Sequence, residues 1–167
     1  MGKRITLVAM LFSCSVPMLA QTEAEIRDRI VGTWKLVSTE QTMKDGTIRP
    51  YPQFGPHGKG FLMYARDGYM CADLVNPDRP KWAEPYHPSR EEGAAAAQGS
   101  FAYCGRYEID AKKGEIVHLP EVAIDPGYVG TRQVRPYTFE DGRLVLSGTE
   151  TQEPGVAGWK IIWEKAH

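Results

Sequence analysis

The stretch IVGTWKLVS, residues 30–38, decides how this sequence folds. From Trp34 to Gln41 the side chains alternate, with Trp34, Leu36 and Ser38 on one face and Lys35, Val37 and Thr39 on the other, the period of a half-buried strand. An indole at the start of a first strand needs a space to fill, and a barrel closed on itself has an end to plug. Gly32, two residues earlier, lets the backbone pass close beneath that ring.

Turn residues punctuate the rest of the chain. After a Gly- and Pro-rich loop, residues 46–60, comes FLMYARDGYMCADL, in which Asp67-Gly68 between two apolar runs predicts a tight hairpin with arms at 61–65 and 69–74. Pro77, Pro80, Pro85 and Pro88 then break the pattern. Ser89 and Glu92 have the spacing of a capping box, which predicts a helix of two to three turns ending at Gly99. With Gly93 and four alanines it has little bulk to bury and belongs over the surface or an opening, where residues 77–99 form either a lid or a fixed strap. Five strands follow, at 101–110, 115–124, 131–139, 143–147 and 157–165, separated by turns such as Asp125-Pro126-Gly127 and Asp141-Gly142.

Eight successive antiparallel strands close most economically into an up-and-down barrel, which removes exposed edges and can hold one small ligand. The expected class is therefore all-β, an eight-stranded antiparallel barrel with one short helix between the third and fourth strands. GTWKLVS, GKGFLMYARDGYMCADL, FAYCGRYEID, YVGTRQVRPYTFEDGRLVLS and a tryptophan-rich last strand, in that order, resemble the bacterial and fungal lipocalin-like domain family of calycin-type barrels. The resemblance spans residues 30–164. It implies a fold with a ligand-holding lumen rather than a particular reaction.

Composition agrees with one domain: 167 residues, 42% hydrophobic and 25% charged. A formal charge of −1 and no run of like charge give nothing to attract nucleic acid. Lys3 and Arg4, the apolar residues 5–12 and the small-residue site at 17–20 read as a signal peptide over 1–20, too short to span a bilayer. The exported domain, periplasmic or secreted, would then cover 21–167. Losing Lys3 and Arg4 from the 20 basic residues leaves 18 against 21 acidic ones, a charge of −3. Leu11-Phe12-Ser13-Cys14 loosely resembles an acylation box, a lesser alternative in which Cys14 anchors a lipoprotein. Export leaves Cys71 and Cys104, each in an apolar strand, as two buried thiols or as a disulfide.

No G-x-S-x-G elbow, phosphate-binding glycine loop, H-E-x-x-H or CxxC pair occurs, so neither a metal nor a cofactor is expected. His57, His87 and His167 read as solvated, and His118 alone lies inside a strand. Strand parity groups Gln133 and Arg135 with Tyr137 and Phe139, Tyr103 and Tyr107 with Phe101, and His118 with Ile116 and Val122. If the aromatics point inward, Tyr103, Tyr107, His118, Gln133 and Arg135 share one lumen; inward Arg132 and Val134 would void the set. Trp34, Leu36, Met63, Tyr64, Trp159 and Trp163 are the expected walls. The expected ligand-binding set is thus Trp34, Tyr64, Tyr103, Tyr107, His118, Gln133, Arg135 and Trp159.

Plainer roles compete for each residue: Arg135 stacked on Trp34, His118 as a satisfied core residue, the tyrosines and tryptophans as simple core. Buried polar groups must nevertheless be paired or hydrated, which favours a wet or ligand-filled cavity over a dry one. The leading expectation is binding of a small apolar or amphipathic molecule, with Arg135 or His118 meeting a carboxylate, hydroxyl or carbonyl. The alternative is a cofactor-independent isomerase, cyclase or lyase in which His118, assisted by Tyr107 or Arg135, performs acid–base work. An accessory domain without a specific ligand is the third.

Overall fold

The computed structural model describes residues 21–149 and 153–167, so the expected signal segment and Cys14 lie outside the described residues. Nine strands form one antiparallel sheet: β1 (Gly32–Met43), β2 (Ile48–Pro50), β3 (Lys59–Tyr64), β4 (Tyr69–Val75), β5 (Ser100–Asp110), β6 (Glu115–Ala123), β7 (Gln133–Glu140), β8 (Arg143–Thr149) and β9 (Val156–Lys165). From β3 onward each strand pairs with the next. β9 then returns to β1, from Trp34 opposite Lys165 to Met43 opposite Val156, and closes an eight-stranded barrel. Register shifts between Leu36 and Ser38 and between Thr42 and Met43 bend β1. Only its first residues, Gly32–Lys35, reach β3.

Two features depart from the expected arrangement. Three residues inside the 46–60 loop form β2, a ninth strand outside the barrel, paired with Glu40–Thr42 of β1. Among the described residues there are two helices where one was expected: α1 (Glu23–Ile30) before β1, and α2 (Arg90–Gln98), which occupies the expected stretch but follows the fourth strand rather than the third because β2 adds one ahead of it. In α1, Thr22 and Glu25 exchange hydrogen bonds as a capping box, and Ile26 and Ile30, one turn apart, are fully buried.

That buried edge of α1 seals one end of the barrel with Trp34. The indole Nε1 donates to the Ile30 carbonyl at 2.6 Å. Lys165 Nζ donates to the carbonyls of Arg29 and Val31 and lies 4.3 Å from the Trp34 ring, so a cation meets the negative end of the helix. Gly32 has φ of 121°, and a Cβ there would come within 3.2 Å of the Lys165 side chain. The glycine of the opening motif makes room for this lysine.

Cys71 and Cys104 are opposite one another on β4 and β5 and are joined as a disulfide. Their neighbours Met70 and Ala72 are buried, which turns the bridge to the outer face. Residues 77–99 are held at several points: Arg79 donates to Asn76 O, Ala96 O and Ser100 Oγ, and Asn76 N donates to Gly99 O. No residue of α2 is buried.

Candidate ligand cavity

Inside the barrel, away from α1, lies a cavity of about 870 Å³. Parity on β7 aims it: Gln133, Arg135, Tyr137 and Phe139 are half-buried while Val134, Pro136, Thr138 and Glu140 are exposed. Leu62, Ala72, Leu74, Leu146 and Ile161 give apolar wall, and Phe101, Tyr103, Tyr128, Trp159 and Trp163 give aromatic wall. The Trp159 ring lies over Gly148, where a Cβ would fall 2.4 Å from it. Glycine is therefore required there for the ring to reach the cavity.

His118 stands in this wall with no surface of its own exposed. Tyr64 Oη is 2.7 Å from its Nε2 and Tyr103 Oη is 2.7 Å from its Nδ1, so both ring nitrogens are engaged. Burial, reinforced by the Arg135 charge, holds its pKa well below the usual histidine range, and the imidazole is neutral. Burial likewise pushes both phenols up, so they remain protonated.

Arg135 crosses the lumen as its cation. Its guanidinium donates to the Tyr128 hydroxyl, to Gln133 Oε1 at 3.2 Å and to the Val134 carbonyl at 3.1 Å, and sits 5.0 Å from the Trp159 ring. Among the described residues no carboxylate forms an ion pair with it. The expected stack of Arg135 on Trp34 does not occur, because Trp34 belongs to the sealed end and Lys165 occupies its face.

The structure thus brings together Tyr103, His118, Gln133, Arg135 and Trp159 around one cavity. Tyr64 lies outside the lining and reaches it only through His118. Tyr107 and Trp34 are at the α1 end: the Tyr107 hydroxyl donates to Ala65 O and its ring faces Arg27, so although Tyr107 stands opposite His118 in the register, the His118 hydrogen bonds go to Tyr64 and Tyr103. Met63, expected as wall, is 45% exposed, because it has the opposite parity to Tyr64 on β3. Tyr51, Phe54 and Tyr128 line the cavity from loops that the sequence reading treated as connections. No residue of 77–99 lines it.

The model of the lipocalin-like domain family matches residues 31–166, the barrel with its sealing tryptophan and cavity. The chain belongs to the lipocalin-like domain family. A search of the curated proteins found no match. For a lipocalin-like barrel the general expectation is ligand binding. Among the described residues no helix is long and apolar enough to cross a membrane, and no three His, Cys, Asp or Glu side chains gather as metal ligands.

Proposed function

We propose that this lipocalin-like chain is an exported protein that binds one small apolar or amphipathic molecule in the barrel lumen. The observation that carries the reading is a cavity of about 870 Å³ whose wall combines apolar and aromatic side chains with polar ones in comparable measure, within the size range of sites that enclose small organic molecules. The polar groups, Arg135, Gln133 and Tyr103, orient the guest, and Trp159 and Tyr128 contact its apolar part. Export is supported by the Cys71–Cys104 bridge, which persists in an oxidising compartment, and by the basic and apolar residues 3–12.

One experiment addresses both parts. Mass spectrometry of protein recovered from its own host should give a chain beginning near Gln21 and, under native conditions, a complex with one small molecule. Leu146→Trp, which fills the lumen from a cavity-lining position, should lose that molecule. A full-length chain would sink export, and a guest retained by Leu146→Trp would sink lumen binding.

One observation favours a second reading, a cofactor-independent isomerase, cyclase or lyase: the Tyr64–His118–Tyr103 hydrogen-bond chain reaches the cavity. In that reading the Tyr103 hydroxyl gives its proton to one atom of the guest and takes one back from another, with His118 holding the hydroxyl in place. Turnover of the host-derived guest that survives Tyr103→Phe would end it.

A further inference from the structure

Counting hydrogens in the cavity wall gives it a polarity. A neutral imidazole carries one N–H and one accepting nitrogen, and each tyrosine carries one O–H. Tyr64, His118 and Tyr103 therefore hold three such hydrogens and use two between themselves. The third belongs to whichever tyrosine accepts from the ring.

Tyr64 is 1% exposed, lies outside the cavity lining and has His118 as its hydrogen-bond partner. A hydroxyl hydrogen left on Tyr64 would be buried without an acceptor, the costly state for a polar group. Tyr103 borders the cavity. The arrangement free of that cost has Tyr64 donating to Nε2, Nδ1–H donating to Tyr103 Oη, and the Tyr103 hydroxyl hydrogen directed into the lumen.

One further donor faces the same space. Arg135 is a lumen cation without a carboxylate. Two acids border the cavity, but Asp125 is exposed, with Oδ1 accepting from Gly127 N, and Glu115 has the opposite strand parity to His118.

We propose that the guest is a small organic acid, its carboxylate held by the Arg135 guanidinium and the outward Tyr103 hydroxyl. This rests on the lumen-binding reading. It narrows that reading to acceptor-bearing, negatively charged heads and disfavours ammonium heads, which would meet the like charge of Arg135.

Two measurements test it. In a chain with His57→Asn, His87→Asn and His167→Asn, His118 is the sole histidine, and nitrogen-15 NMR of the free protein identifies its protonated nitrogen. Nδ1–H is the expected result. Nε2–H would overturn the outward hydroxyl, whatever the protein binds.

The second compares three probes of one shape by calorimetry: naphthalene, 2-naphthoate and 2-naphthylmethylamine. The naphthoate should bind about tenfold or more tighter than naphthalene, and the ammonium weaker than naphthalene. Tyr103→Phe and Arg135→Gln should each cut the ratio of naphthoate to naphthalene affinity several-fold. Equal binding of the three, or preference for the ammonium, would overturn the acid head while lumen binding stands. Failure of all three to bind would remove the lumen-binding reading, and the acid with it.

Discussion

At residue 118 the fold holds a histidine neutral, and that choice has a measurable consequence for stability. Its native pKa lies well below the unfolded value of about 6.5, so below about pH 6.5 the unfolded chain takes up a proton that the native state refuses. Native stability therefore falls as pH drops, by about 1.4 kcal/mol per pH unit, until the native pKa is reached. Above about pH 6.5 this group contributes no pH dependence. Urea midpoints measured between about pH 5.5 and 7.5 should show this slope in the wild type and lose it in His118→Gln. Identical slopes in the two proteins would mean the residue 118 side chain titrates in the native state. Single residues also show where sequence reading stops. The inward set on β7 was legible because Tyr137 and Phe139 fix its parity, and parity carries Gln133 and Arg135 with them. The cation on Trp34 was not, because Lys165 reaches that ring only when the last strand closes on the first.

Among elements, the hairpin of β3 and β4 rests on Asp67-Gly68, a local signal visible in the sequence. β2 was not visible: three residues in a Pro-rich loop carry no period, and their pairing depends on β1 already being in place. α1 carried a signal that went unread, the Thr22–Glu25 capping box with Ile26 and Ile30 one turn apart. Its low apolar content, next to the expected signal segment, hid it. The bridge between β4 and β5 belongs to this scale too. Cys71 and Cys104 are 33 residues apart, and closing such a loop stabilises the fold by about 3 to 4 kcal/mol on the chain-entropy account. Because the bridge lies outside the barrel, the doubly substituted Cys71→Ser, Cys104→Ser chain should lose about that much in urea unfolding yet bind 2-naphthoate unchanged. A loss of affinity matching the loss of stability would tie the bridge to the cavity.

For the molecule as a whole, closure explains both ends of the barrel. β9 on β1 closes the sheet on itself, α1 with Trp34 and Lys165 seals one end, and the remaining length holds a lumen walled by rings. Alternation and turns made the closed sheet legible. They could not show the loop-borne Tyr51, Phe54 and Tyr128, whose arrival at the lumen depends on how the loops pack over the finished barrel. The central claim is that this lumen is where a guest binds. It is tested most directly by calorimetric titration of 2-naphthoate into the wild type and into Leu146→Trp, with unfolding curves to confirm that the variant is folded. The account predicts one site per wild-type chain and an affinity at least about tenfold weaker in the variant, since an indole in the lumen takes the guest's place. Equal affinity in two folded proteins would put the guest outside the barrel and contradict the account.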